Sequence, residues 1–257
     1  MSQLVDRTIT ALRAEHDALA GLVSTLTDDQ LATTSGAAEW TVAQALSHLG
    51  SGAEIGRVPI ARAAGQTVVA EDNQTVWARW DTSAPRAQAE GFLEYSGRWL
   101  DTVEAFTPEQ RSSLTVDLGF LPEPVPLVTA LGMRLSELAN HSWDVRVAID
   151  PHAEVDADSA TVLVDLLAGP LGFTLGFAAK PAELAAPASV AIPGAGVVID
   201  DAVTVVDHLE SPSAKFTGPA GAFVRLVSGR FKPPYDNGVT VEGNVTLDDL
   251  RRVFPGY

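Results

Sequence analysis

The sequence predicts a two-part α + α/β chain: a four-helix bundle over residues 1–150, then a small α+β domain with a mainly antiparallel sheet over residues 151–257. Two observations predict it. In the first part, apolar residues recur at three- and four-residue intervals, the period of one helical face. After Asp150-Pro151 the pattern changes to short β-rich runs, mixed with fewer helical stretches, as expected of an α+β domain.

The first helix carries Val5, Ile9, Leu12, His16, Leu19, Val23 and Leu26 on one stripe, which faces a bundle core. The second starts after Trp40. Thr41 followed by Gln44 is a capping-box pattern, which satisfies free N–H groups at a helix start. This helix is expected to run to about Ala64, with Gly52 and Gly56 weakening its middle or marking close packing. Residues 66–82, QTVVAEDNQTVWARWDT, read as a long connection. Ser83 and Pro85 then open the third helix in cap-then-proline order, and it continues through Phe92, Leu93, Trp99, Leu100 and Val103. PEPVP at 122–126 is rigid and non-helical, and the fourth helix begins near Leu127.

Beyond the boundary, one more helix is expected near 157–168. Strand-like runs follow: ASVAI at 188–192, GVVID at 196–200, AVTVVDHL at 202–209 and SAKFTG at 213–218. A helix at 219–228, a strand GVTVEG at 238–243 and a closing helix LDDLRRVF complete the part.

The whole-chain balance excludes several functions. With 33 acidic against 17 basic residues the formal net charge is -16. Such a chain is repelled by nucleic acid and by an anionic membrane surface. The N-terminus carries charge every few residues, unlike a signal peptide, and no run approaches a membrane span. There is no Cys, so there are no disulfides. The expectation is a cytoplasmic protein with no nucleic-acid partner and no membrane partner.

Three residues carry the chemistry. Glu137 and His141 lie four apart in the fourth helix, so their side chains share one face a turn apart. His48 lies in the second helix. If those helices are neighbours, two imidazoles and one carboxylate converge as a ligand set for a divalent metal. Two His and one Glu on Zn²⁺ leave a coordination position open for water or substrate. A lone Glu-x-x-x-His pair is common and by itself reads as a solvated helix face. Here the apolar neighbours Ala45, Leu46, Leu49, Leu135, Leu138 and Val145 favour a cation, because a buried carboxylate is costly unless paired. Asp144 either orients an imidazole from behind or pairs with a nearby Arg. His16 reads as a satisfied core histidine, and His152 and His208 as exposed. No G-x-S-x-G, P-loop or dinucleotide fingerprint is present. In the 66–82 connection, Trp77, Arg79 and Trp80 offer aromatic surface and a cation. They read either as a binding lid or as side chains packed on the bundle.

The strings EWTVAQALSHLG, VWARWD and ELANHSWDVRVAI resemble the mycothiol-dependent maleylpyruvate isomerase family, within the wider DinB-like metal-binding helical bundles. The C-terminal string LVSGRFKPPYDNGVTVEGNVTLDDLRRVF resembles the family's small domain, itself similar to sterol-carrier-like modules. The resemblance implies His48, Glu137 and His141 as zinc ligands, and Arg230 as a catalytic contact to an anionic substrate. It also implies mycothiol, a thiol with a sugar-inositol body, as cosubstrate, and a small electrophile as its partner. The alternative is a non-catalytic metal- or lipid-binding module, in which the apolar runs at 188–199 and 202–206 line a pocket rather than a core.

Overall fold

The structure is a computed structural model that describes residues 2–37 and 39–256. The chain forms two compact units that divide between Ala153 and Glu154.

The first unit is helical. Its elements are α1 (Ser2–Val23), α2 (Asp28–Leu31), α3 (Val42–Ala63), α4 (Asn73–Asp81), α5 (Pro85–Glu104) and α6 (Pro108–Ser113), then the two-residue strands β1 (Thr115–Val116) and β2 (Val125–Pro126), and α7 (Leu127–Val147). Helices α1, α3, α5 and α7 make the bundle: α3 packs on α5 and α7, and α1 on α7 and α5. The expected stripe from Val5 to Val23 is the buried face of α1, with Leu12 and Leu19 fully enclosed; Leu26 is buried too but lies beyond the helix end at Val23. Thr41 caps α3 as expected. Its hydroxyl accepts the Gln44 N–H at 3.2 Å, and the Gln44 carboxamide oxygen accepts the Thr41 N–H at 2.8 Å. Strands β1 and β2 pair antiparallel and hold the entry to α7, where the Leu127 N–H donates to Leu114 O at 2.9 Å.

Three expectations are corrected in this unit. The 66–82 segment is not a continuous connection, because residues 73–81 form α4. Asp72 caps it through the N–H groups of Gln74 and Thr75, an N-cap written in the sequence as Asp-Asn. Ser83 does not cap α5. The N-cap position is Ala84, and the Ser83 hydroxyl turns back to donate to Arg79 O at 2.8 Å. The close helix contact falls at Gly50 and Gly91, not at Gly52 and Gly56. A Cβ on Gly50 would stand 2.2 Å from the Trp80 ring and one on Gly91 2.6 Å from it, whereas at Gly52 and Gly56 the nearest atoms are 3.5 and 3.7 Å away. Two glycines on α3 and α5 therefore make the slot that receives the Trp80 indole.

The second unit contains α8 (Ala157–Leu167), α9 (Leu175–Ala178), β3 (Ala188–Ile192), β4 (Ala195–Ile199), β5 (Val203–Val206), β6 (Ala214–Thr217), α10 (Ala220–Val227), β7 (Thr240–Gly243) and α11 (Leu247–Val253). The sheet order is β5-β4-β3-β6-β7. Only the β3–β6 pair is parallel, so the sheet is mainly antiparallel, as expected. Strand β5 ends at Val206 rather than at 209, and Asp207 and His208 are exposed. α9 had no clear signal in the sequence.

Val190, Ile192, Val197 and Phe216 of the sheet meet Phe223 of α10, Leu250 of α11 and Phe254 around a cavity of about 10 Å³. A ligand pocket takes roughly 300 Å³ or more. Val190, Ile192 and Val197 of these runs therefore pack as core side chains around a void far smaller than a lipid. Among the described residues no single helix is long and apolar enough to cross a membrane. The bent pair Ala157–Leu167 and Gly172–Ala178 passes that test on length and composition alone.

Candidate metal centre

Helices α3 and α7 pack side by side and bring the three predicted ligands together. The ligand atoms of His48, Glu137 and His141 all lie within 4.8 Å of one another. His48 Nε2 is 2.8 Å from Glu137 Oε2, and His141 Nε2 is 3.6 Å from the same oxygen. A tetrahedral ion with bonds of about 2.0–2.1 Å spaces its ligand atoms roughly 3.3 Å apart. The two imidazole nitrogens are within about 0.5 Å of that spacing from Glu137 Oε2, so small side-chain adjustments bring the three toward one ion.

Behind His141 stands Asp144, whose side chain is 0% exposed. Its Oδ2 is 2.8 Å from His141 Nδ1. A carboxylate only accepts, so the ring donates from Nδ1 and leaves the Nε2 lone pair facing Glu137 and His48. This carboxylate–imidazole pair is the usual support behind a metal-bound histidine, and the donor set fits a divalent cation. The segment before α3 closes over Asp144. Gly36 N–H donates to Asp144 O at 2.8 Å, and a Cβ on Gly36 would stand 2.9 Å from Asp144 Oδ1.

Electrostatics keep Glu137 ready as a ligand. Loss of solvent by itself raises its pKa. The hydrogen bond from His48, the charges that the His141 and His48 rings carry when protonated, and the charge of Arg134 outweigh that and hold it at about 2. The carboxyl is therefore ionised at neutral pH. The mouth of the site is open: the side chains of Glu137 and His48 are 46% and 41% exposed, against 12% for His141.

Two contributors had weak sequence signals. Trp40 covers one side of the site. Its ring lies 5.0 Å from the His48 ring and 5.5 Å, stacked, from the His141 ring. The backbone fixes it, since Ser35 N–H donates to Trp40 O at 2.8 Å and Trp40 N–H to Ala37 O at 2.7 Å. Its signal in the sequence is its place in the string EWTVAQALSHLG, an aromatic just before a helix cap, which by itself assigns it no role at the site. Arg134 sits one turn before Glu137, and its Nη2 donates to Leu49 O of α3 at 2.9 Å. Its guanidinium lies over the Trp99 ring at 5.9 Å. Burial lowers its pKa to about 10, against the opposing pull of Glu137, so it remains a cation at neutral pH. The Arg–Glu spacing of three residues was the available signal.

The remaining predicted residues fall in different settings. Trp80 is buried in its glycine slot, and its indole N–H donates to Glu54 at 2.7 Å. Arg79 pairs with Glu54 at 2.6 Å and Glu71 at 3.0 Å. Trp77 is 43% exposed and lines a cavity of about 340 Å³ beside His48. In the second unit, Arg230 is half-buried, its N–H donates to Arg225 O at 2.7 Å, and it follows Gly229 at φ +72. His16 is a core histidine as expected: 6% exposed, with Nδ1 3.1 Å from the Ser96 hydroxyl. His152 and His208 are exposed.

A helical bundle that presents two imidazoles and a carboxylate from facing helices, with an open mouth, has the arrangement by which bundles can hold a metal between helices. The family model described as mycothiol maleylpyruvate isomerase N-terminal domain matches residues 12–146, and the chain belongs to that family. Two solved structures share the fold. One is a crystal structure of the mycothiol-dependent maleylpyruvate isomerase, at 18% identity and TM-score 0.63. The other is a mutant of the mycothiol-dependent maleylpyruvate isomerase, at 16% identity and TM-score 0.63. Each alignment covers 94% of this chain and 94% of the other. No curated protein matches the chain significantly.

Proposed function

We propose that this chain is a zinc-dependent enzyme that uses mycothiol to isomerise a small electrophile of the maleylpyruvate kind, or to transfer sulfur to one. The observation that carries the reading is the convergence of His48, Glu137 and His141 on one point, with buried Asp144 behind the second imidazole. Family membership supplies the thiol and the isomerase class.

His48, Glu137 and His141 would hold the ion. When bound, it supplies a Lewis acid that lowers the pKa of a thiol in its open position, so the thiol reacts as a thiolate. Asp144 keeps the proton on His141 Nδ1 and the lone pair on Nε2. Trp40 shields one side of the site from water. The chain has no Cys, so no internal thiol competes for the position.

The sulfur then adds to the electron-poor double bond, and the π pair moves onto the conjugated carbonyl. The former double bond is now single and rotates. Return of the pair expels the sulfur and leaves the trans isomer, with no net redox change. If a proton instead reaches the neighbouring carbon, the C–S bond stays and the outcome is S-transfer. In this reading Arg230 contacts the carboxylate of the substrate and Trp77 contacts the thiol. Arg79 and Trp80 contribute by fixing α4 to Glu54 of α3. The test is zinc-loaded protein with mycothiol and a panel of electrophiles that includes maleylpyruvate. Thiol-dependent isomerisation or thiol consumption is expected, and neither one appearing would overturn the proposal.

A further inference from the structure

A second cavity of the bundle unit, of about 790 Å³, lies along α3 beyond the metal ligands. Its volume is within the range of small-molecule sites, roughly 300–1,000 Å³. None of His48, Glu137 and His141 lines it. Its α3 wall runs from Gly52 to Arg62, roughly 15 Å at 1.5 Å per residue. Residues of α4, of α5 and of the turn after β1 supply the other walls. A groove of that length suits an extended chain better than a compact ring.

The groove gathers apolar surface. Five large hydrophobic side chains are exposed among the described residues, and three of them, Val69, Trp77 and Phe120, line it. Val69 is 93% and Phe120 68% exposed. Single exposed hydrophobic residues are ordinary, but a cluster at one concave surface marks a binding site. Gly52 and Gly56 keep the α3 wall low. Packing does not require glycine at either position, since a Cβ would stand 3.5 and 3.7 Å from its nearest neighbour, ordinary contact distances. Their missing side chains widen the groove instead.

One cation of the lining is unspent. Arg57 is half-buried and makes no hydrogen bond or ion pair among the described residues, in a chain with 33 acidic residues against 17 basic. The charges around it are engaged. Arg98 pairs with Glu94 at 2.6 Å, Arg62 donates to Val68 O at 3.4 Å, and Glu54 and Glu71 share Arg79. Asp117 is exposed, and its carboxylate accepts the Gly119 N–H at 2.9 Å. A second donor beside the α3 wall is also unmet. Trp99 is 2% exposed, and its indole N–H has no hydrogen-bond partner among the described residues. Its Nε1 is the atom 3.7 Å from a Cβ built on Gly56.

Together these features discriminate between ligands. A cation is repelled by Arg57 and Arg62, and Glu54 and Glu71 are already held by Arg79. A neutral hydrophobe covers Arg57 and removes its water without giving it a counter-ion. A polyanion meets Asp117, Glu54 and Glu71 as well as the apolar walls. A single carboxylate on an apolar chain answers each point. A guanidinium takes a carboxylate through two parallel hydrogen bonds, and the chain covers the exposed hydrophobic side chains. We propose that this groove binds an aliphatic monocarboxylate of the fatty-acid kind, with its head on Arg57 and its chain against Val69, Trp77 and Phe120. The inference does not rest on the thiol chemistry proposed above. Trp77 lines both this groove and the cavity beside His48, so the occupant shares one wall with the metal side.

The test is calorimetric titration of decanoate into zinc-loaded wild type, Arg57→Ala and Phe120→Ala, with decanol and decylammonium titrated into wild type. Phe120 is exposed and Arg57 holds no partner, so both variants are expected to fold, and thermal melting checks this. Decanoate should bind the wild type about 10-fold more tightly than either of the other two ligands. Each variant should lose about 10-fold in affinity for decanoate, the scale of one hydrogen bond to a charged group or one lost aromatic contact. Arg57 lies nine residues after His48, roughly 14 Å along α3, so a carboxylate bound at the zinc ion instead would be indifferent to Arg57→Ala. Unchanged affinity in either variant, no binding of decanoate to the wild type, or equal binding of the three ligands overturns the site.

Discussion

His141 and Asp144 form a buried pair: Nδ1 and Oδ2 are 2.8 Å apart, and the Asp144 side chain has no exposure to solvent. The pair fixes which nitrogen of His141 is available to a metal. Asp144→Asn should therefore retain metal but bind it about 10-fold more weakly, the lower end of what loss of such a supporting carboxylate costs. Competition with a zinc chelator measures this, and an unchanged affinity would contradict the orienting role.

The slot for Trp80 makes a stability prediction whose sign depends on magnitudes. Replacing a helix-interior Gly with Ala ordinarily stabilises by about 0.5–1 kcal/mol. At Gly50 the new methyl would stand 2.2 Å from the Trp80 ring, which is itself held by Gly91 and Glu54. Overpacking of this kind costs about 1–3 kcal/mol or more, so Gly50→Ala should destabilise. Gly97 of α5 has nothing within 4 Å of a built Cβ, and Gly97→Ala should stabilise. Opposite shifts in thermal midpoint are expected from the two variants.

His16 predicts a pH dependence. Burial, the largest effect, lowers its pKa below the ordinary 6.5, with Asp17 opposing and Arg13 and Arg134 assisting. The folded state thus binds this proton less readily than the unfolded state. Stability is full above about pH 6.5 and is lost as pH falls below it, with a limiting slope of about 1.4 kcal/mol per pH unit. Melting of metal-free protein between pH 5 and 8 checks it. His16→Gln should flatten the acid side relative to wild type, and parallel curves would rule the contribution out.

Arg230→Ala should keep both fold and metal and lose most activity on a carboxylate-bearing substrate. Steady-state rates beside zinc content measure this. Full activity in a metal-replete variant would remove Arg230 from the catalytic assignment.

The sequence was most informative where local chemistry and helical period agreed. The Thr41–Gln44 box, the stripe of α1 and the Glu137–His141 spacing all read directly, because each depends on residues within a turn or two. That His48 meets the pair depends on α3 lying against α7, which periodicity cannot establish. The family strings carried that step. Trp40 and Arg134 were missed for a similar reason: their roles arise from packing across helices, not from spacing along one. Gly50 was overlooked in favour of Gly52 and Gly56, since nothing local tells which glycine in a helix faces a tryptophan from another segment. α4 was hidden by its length of nine residues and its polar face, with only Val76 and Trp80 buried.

Elemental analysis of purified wild type, His48→Ala, Glu137→Ala and His141→Ala tests the central claim most directly. A three-ligand site has no donor to spare. One divalent ion per wild-type chain is expected, with zinc the expected element, and strong loss of metal in every variant. Full occupancy in any one variant would show that its residue is not a ligand, and a wild type that takes up no divalent metal would contradict the site itself.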